Sequence, residues 1–335
     1  MNIGLTFDMK NDYLALGFSE EESAEFDKPD TIEAIEIAIN KAGHTTERIG
    51  NIWDLTKALS QGKTWDLVFN IAEGLRGIGR EAQVPALLDA YNIPYTFSDP
   101  LVLSLSLHKG MTKRVLRDLN LATTDFAEIK TIEDIESVNL PFPLFAKPIA
   151  EGTSKGVSLT SIVKNKIELK AECQRLIDIF HQPVLLETFL PGREFTVGII
   201  GTGAFAKSVG CMEVLLQEKA EQGIYSYNNK ENYEELVKYR IVEDEISKEV
   251  EKLAVSAYNG LGCRDAGRVD IRLDANGIPN IIELNPLAGL HPVRSDLPMI
   301  CNFKGISYQT LIEEILKSAF ERIYKPKMVF TIENK

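Results

Sequence analysis

Residues 268–285, RVDIRLDANGIPNIIELN, read as two strands folded about a four-residue turn, and this segment constrains the chain more than any other. Residues 268–273 and 280–284 are strand-like, and Asp274-Ala275-Asn276-Gly277 between them carries the residue types that tight turns need. In a strand, residues i and i+2 share a face. Arg268 and Asp270 therefore point the same way, as do Glu283 and Asn285 on the partner strand, and the turn brings the two pairs side by side. Asp270 sits on an otherwise apolar strand and Glu283 follows two isoleucines, so either would be costly if buried without a partner. The set offers two carboxylates, one amide oxygen and one guanidinium. Hard oxygen ligands of this kind suit Mg²⁺, which keeps waters and takes phosphate oxygens as further ligands. The competing reading is a structural ion-pair network.

Two further segments suit a phosphorylated ligand. Lys147-Pro148 is followed by Glu151-Gly152-Thr153-Ser154-Lys155-Gly156. A lysine at a strand end is a point charge for phosphate, and a small, hydroxyl-rich loop lets backbone N–H groups approach phosphate oxygens. Glycines at both ends allow it to move as a lid. It is not the GxxxxGK[ST] pattern, and a mobile loop without a ligand would look the same. Residues 184–190, VLLETFL, read as an apolar strand entering a linker, where backbone groups around Glu187 can meet a purine edge. Seven residues on, Glu194 can accept hydrogen bonds from ribose hydroxyls.

The chain of 335 residues is too long for one core and suits three lobes. Residues 1–97 alternate strands (2–7, 65–70) with helices (31–42, 81–91), which implies a parallel sheet. No GxGxxG follows the first strand, and Gly77-Ile78-Gly79 alone signals little. A second lobe spans 98–186, with Lys109 near the start of a helix. A third spans 187–335, with a hairpin about residues 201–203 and a last helix near 307–323. The net charge of −12 argues against a nucleic-acid binder. No apolar run is long enough to span a bilayer, and the N-terminus lacks a signal pattern. Cys173, Cys211, Cys263 and Cys301 lie far apart and read as reduced, packed thiols of a cytoplasmic protein. The acidic stretch 20–27 reads as a solvated face rather than a cover over substrate.

Lys109, the Lys147 strand, EGTSKG, LLETFLPGREFTV, LGCRDAGRVDIRL and IIELNPLAGL occur in this order, and together they resemble the D-alanine–D-alanine ligase family of the ATP-grasp superfamily. The resemblance covers residues 66–320. It implies an α/β, ATP-grasp fold preceded by a Rossmann-like lobe, a homodimer, and ATP with two Mg²⁺ ions, for which Mn²⁺ can stand in. It implies that Lys109 and Lys147 contact the α- and β-phosphates, with Glu151, Gly152 and Ser154 in the phosphate loop. Glu187 and the Leu190 backbone would meet adenine, and Glu194 the ribose. Asp270, Glu283 and Asn285 would ligate the ions, and Lys230 would reach the γ-phosphate. Arg268 and the Gly289 N–H would hold the reacting carboxylate and its oxyanion, with Thr153 near the first amino acid. The implied chemistry is amide formation through an acyl phosphate.

The departures fall on the amino-acid sites. The family carries a Glu near the N-terminus that orients the first amino group. Here Asp8, Asp12 and Glu20 are the candidates. The mobile loop has Lys230-Glu231 in place of Lys-Tyr, with Tyr225, Tyr227 and Tyr233 nearby. The segment PLAGLHPVRSDLP is one residue longer than its counterpart, which makes Ser295, Arg294 and His291 candidates for substrate contacts. The reading is a dipeptide-forming ligase. Its rivals are a ligase for other amino acids, a phosphotransferase on the same scaffold and an ATP-binding regulatory protein.

Overall fold

Strand β1 (Asn2–Thr6) is the middle of a parallel sheet ordered β2–β1–β3, with β2 (Thr45–Gly50) and β3 (Leu67–Asn70) on its flanks. β3 is buried throughout and β1 nearly so, as expected of parallel strands covered on both faces. β2 is half-exposed and polar, TTERIG, which is why it is not visible as a strand in the sequence. The helix read over 31–42 is Pro29–Lys41, with proline in its first turn and Ile32, Ile35 and Ile39 buried. The helix read over 81–91 is a 3₁₀ turn, Arg80–Ala82, followed by an α-helix, Gln83–Ala90. The computed structural model describes residues 1–324 apart from 222 and 225, and leaves the side chains of 230 and 231 undescribed.

The second sheet is antiparallel, ordered β4–β7–β5–β6: β4 (Phe126–Ile129), β5 (Leu144–Pro148), β6 (Ile162–Val163) and β7 (Val184–Thr188). The helix Lys166–Phe180, capped by Asn165, covers it through Leu169, Cys173 and Leu176. The third sheet is also antiparallel, ordered β10–β9–β8–β11–β12: β8 (Glu194–Ile200), β9 (Lys207–Leu216), β10 (Val237–Ile241), β11 (Ala266–Leu273) and β12 (Pro279–Asn285). The helices Glu245–Gly260 and Asp296–Phe303 pack on it. The last helix, Tyr308–Tyr324, turns back to the first sheet, and its Leu311, Ile315 and Ala319 share a core with Ile3, Leu5 and Ile35.

Both hairpins form. In the informative one, Arg268 pairs with Asn285 and Asp270 with Glu283, directly across β11 and β12. The register then slips, Ile271 facing Ile281, so Ile282 is an extra residue. The regular pairs put the four polar side chains on one face, and the bulge turns Ile281 to the opposite face from Glu283, so that it stays buried with Val269, Ile271 and Leu284.

Candidate active site

The second and third sheets face each other across a cleft. β5 places Lys147 in it, β7 Glu187, the linker Leu190, β8 Glu194, and the hairpin Arg268, Asp270 and Glu283. Glu187 is the electrostatic centre of one wall. Its Oε2 lies 2.6 Å from Lys147 Nζ. Its Oε1 lies 2.5 Å from Lys113 Nζ and accepts from Thr124 Oγ1 at 2.9 Å. Burial alone would raise the Glu187 pKa, but two adjacent ammonium groups outweigh it and hold the carboxyl at about 2. Burial lowers the Lys113 pKa, whereas for Lys147 the attraction of Glu187 and Glu283 overcomes burial and raises it. Lys113 is missing from the sequence reading. It stands four residues after Lys109 on one helix, and that spacing was the signal for it.

Lys109 opens the helix Lys109–Asp118, which His108 caps by accepting the Met111 N–H. The Lys109 N–H donates to Ile149 O at 3.1 Å. This fixes the helix start, and the side chain reaches Glu151 O at 2.5 Å and Glu283 Oε2 at 3.3 Å. Glu194 is held 3.3 Å from Arg272, whose guanidinium also donates to Gly192 O and Gly223 O. Asp270 accepts from Thr196 Oγ1 at 2.9 Å, from Asn285 Nδ2 at 3.2 Å and from Arg268. With its Nδ2 on Asp270, Asn285 keeps its amide oxygen for another partner. Two carboxylates facing one another beside that oxygen fit a hard divalent cation. Arg268 is further drawn to Asp296 at 3.6 Å, and its acidic neighbours overcome burial and raise its pKa.

The loop after β5 is pinned rather than open. Thr153 and Ser154 both adopt left-handed backbone conformations, φ +51° and +55°. Lys155 Nζ lies 2.6 Å from Glu151 and 2.7 Å from Glu25. Both oxygens of Glu25 in turn accept from Arg80 Nη2, at 3.0 and 3.1 Å, and Arg80 Nη1 donates to Ala150 O at 2.8 Å. A Cβ at Gly152 would stand 2.1 Å from Glu25 Oε1, so this approach requires glycine. The solvated reading of 20–27 therefore holds for Glu20, Glu21 and Glu22, which are exposed, and fails for its second half. There Ser23 and Phe26 are buried, and Glu25 is tied to the loop. Neither composition nor period could reveal partners 55 and 130 residues away.

A second cavity, of about 590 Å³, opens on the other side of this junction. Lys109, Glu151, Thr153, Arg268 and Glu283 line both spaces. Gly152, Asn285, Gly289, His291, Arg294 and Ser295 line the cavity, while Ser154 lines the cleft. At Gly289 a Cβ would meet Ser295 Oγ at 2.8 Å, so a side chain there would crowd the serine. His291 lies 3.1 Å from Asp30 and accepts the N–H groups of Val293 and Arg294. Arg294 is exposed. Asp8, Asp12 and Glu20 do not line the cavity. Asp8 is buried against Tyr13 and Gly74, Asp12 is exposed, and Glu20 pairs with Lys10. The cavity's acidic wall comes instead from Glu25, Asp27, Glu73 and Glu81. Lys230 falls in the short helix Tyr227–Glu231, but its side chain, like Tyr225, lies outside the described residues.

A cleft between two antiparallel sheets, with facing lysines and a carboxylate hairpin, defines an ATP-grasp protein. The family model described as "D-ala D-ala ligase C-terminus" matches residues 115–317. The D-alanine–D-alanine ligase of Bordetella petrii is 34% identical over 256 residues, covering 74% of each chain. That of Bordetella avium is 32% identical over 253 residues, covering 74% of this chain and 77% of that one. The crystal structure of D-alanine–D-alanine ligase from Bacillus anthracis complexed with ATP superposes with a TM-score of 0.73 at 22% identity, covering 96% of this chain and 98% of that chain. The Enterococcus faecalis VanG D-Ala:D-Ser ligase superposes with a TM-score of 0.72 at 19% identity, covering 95% and 99%. The chain belongs to the D-alanine–D-alanine ligase family, whose members are ATP-grasp enzymes that form C–N bonds. Among the described residues no helix is long and apolar enough to cross a membrane. All four cysteines are free and buried, and burial raises their thiol pKa values.

Proposed function

We propose that the chain joins the carboxylate of one amino acid to the amine of another while cleaving ATP to ADP and phosphate. The observation that carries this is the shared wall: Lys109, Glu151, Thr153, Arg268 and Glu283 line both the cleft and the larger cavity. A phosphoryl group in the cleft and a carboxylate in the cavity meet at Arg268. Adenine lies against Leu190 and the Glu187 cluster, Glu194 takes the ribose hydroxyls, and Lys109 and Lys147 neutralise the phosphates. Glu151, Gly152 and Ser154 close over them, and the family resemblance assigns the γ-phosphate lysine to Lys230. Asp270, Glu283 and Asn285 would hold two Mg²⁺ ions, or Mn²⁺, which spread the charge that develops on the transferred phosphoryl group.

A substrate carboxylate oxygen attacks the γ-phosphorus and ADP leaves. The amine of the second amino acid then attacks the acyl carbon, the C–O bond to phosphate breaks, and the amine loses a proton. Arg268 grips the first carboxylate bidentately, and its guanidinium with the Gly289 N–H stabilises the tetrahedral oxyanion. Thr153 borders the first amino acid, and Ser295, Arg294 and His291 border the second. The pinned loop at 151–156 keeps water from the acyl phosphate. The enzyme works as a cytoplasmic homodimer of three-lobed chains, divided near residues 97 and 186.

ADP release from Mg-ATP, with amino acids of both chiralities offered singly and in pairs and products weighed by mass spectrometry, tests this reading. An amide formed in step with ADP supports it. ADP with a phosphorylated acceptor and no amide would make the protein a phosphotransferase.

A further inference from the structure

One buried ammonium group joins the two walls of the cleft. Lys113 is 1% exposed at its side chain, and its three N–H bonds meet three acceptors. These are Glu187 Oε1 at 2.5 Å, Thr124 Oγ1 at 2.8 Å and Thr123 Oγ1 at 2.8 Å. Glu187 belongs to β7 of the second sheet, and its other oxygen holds Lys147 at 2.6 Å. Thr123 leads the other way. Its hydroxyl donates to Ile281 O at 2.7 Å, and the Ile281 N–H donates to Ala122 O at 2.9 Å. Residues 122 and 123 thus lie along β12 of the third sheet, where Thr123 forms a parallel bridge with Ile281. Phe126, three residues on, already pairs with Glu187 in the second sheet.

The contacts Lys147–Glu187–Lys113–Thr123–Ile281 therefore run from one wall to the other, ending two residues before Glu283. Neither Lys113 nor Thr123 lines the cleft or the cavity, so neither reaches a bound nucleotide. The Thr123 link adds nothing to the Lys147–Glu187 pair itself. What it fixes is the spacing between that pair and the hairpin. Glu283 is near enough to help keep Lys147 protonated, so the spacing is short. Phosphate oxygens on Lys147 and a cation on Glu283 need that gap at one width, because each ligand then finds the other's site in place.

We propose that Lys113 and Thr123 are positioning residues that set the gap between Lys147 and Glu283, so that nucleotide and Mg²⁺ bind as a pair. This rests on the placement of ATP and Mg²⁺ proposed above and assigns the groups that hold it.

Calorimetric titration of the whole chain with a non-hydrolysable ATP analogue, in Mg²⁺ and in EDTA, tests it. The ratio of the two dissociation constants is the coupling between nucleotide and metal. Thr123→Val removes the hydroxyl at a half-exposed position and leaves Lys113, Glu187 and Lys147 charged and paired. The coupling should fall at least ~5-fold, the scale of one lost hydrogen bond, while affinity in EDTA holds. Thr123→Ser keeps the hydroxyl and should restore the coupling. Thr123→Ala makes the same cut with less bulk, so the comparison survives if the valine variant does not fold. A merely structural link would lower the urea midpoint and leave the coupling unchanged, which overturns the proposal. Equal losses with and without Mg²⁺, or no recovery in Thr123→Ser, overturn it too. An unmoved coupling in a chain that binds nucleotide and forms amide leaves the ligase reading standing. No nucleotide binding by the wild-type chain under either condition overturns both.

Discussion

Lys147 Nζ lies 2.6 Å from Glu187 Oε2, and the other oxygen of the same carboxylate lies 2.5 Å from Lys113. One buried anion therefore holds two buried cations, and removing it strips Lys113 of its ion-pair partner and leaves Lys147 only the attraction of Glu283 and Glu194. Glu187→Gln should lower unfolding free energy by roughly 3 kcal/mol, the usual scale for breaking a buried ion pair from one side. The group also sets an acid limit. Its pKa is about 2 in the folded chain against an ordinary 4.5, so its stabilisation is complete above pH 4.5 and is lost as pH falls toward 2. Urea melts at pH 7 and pH 3 check both points. A variant as stable as wild type at pH 7, with an unaltered acid profile, would show that the cluster is indifferent to Glu187.

The parts of this site that could be read from sequence are those set by local periodicity. Arg268, Asp270, Glu283 and Asn285 could be placed together because a strand alternates and a four-residue turn fixes which pairs meet. The bulge at Ile282 could not, because it depends on packing against neighbouring strands. Strand β2 was hidden by its half-exposed polar sequence. The Glu25–Arg80–Lys155 network was hidden for another reason: its members are distant in sequence, and only the assembled sheets bring them within 3.1 Å. Charge runs look solvated until a partner from a distant segment is known.

Arg268 should separate chemistry from nucleotide binding. Its guanidinium is pinned by Asp270 and Asp296, so its fork has one orientation toward the cavity. Arg268→Lys keeps the charge and loses the fork. Turnover should fall by about 10²-fold or more, the scale of a lost oxyanion donor. ATP affinity should hold, because Lys109 and Lys147 are untouched. Steady-state kinetics beside nucleotide titration measures the split. A fall confined to ATP affinity would move Arg268 out of the acyl-transfer role.

The hairpin carboxylates should set the metal requirement. Glu283→Gln removes one charge from the facing pair and leaves Asp270 bound to Thr196 and Arg268. The Mg²⁺ concentration giving half-maximal ADP release should rise at least ~10-fold, in line with loss of an anionic oxygen ligand. A Mg²⁺ titration at saturating ATP reads this directly, and Mn²⁺, which carboxylate sites generally bind more tightly, should restore part of the activity. An unchanged titration would return Asp270, Glu283 and Asn285 to the structural-network reading.

Lys155 should govern coupling rather than rate. It ties the loop at Glu151 to Glu25, while Arg80 holds Glu25 independently. Lys155→Met therefore loosens the loop and leaves Glu25 one partner, so the fold should survive. Arg80→Met is the harsher change, because it removes the Nη2 contacts to both Glu25 oxygens and the bond to Ala150 O together. A loosened loop admits water to the acyl phosphate, which then hydrolyses before the amine arrives. In Lys155→Met the ratio of ADP to amide should rise well above one, with ADP release itself changed much less. Parallel assays of ADP and amide at saturating substrates give that ratio. A ratio near one at any residual rate would mean that water is excluded by something other than the Lys155 clasp.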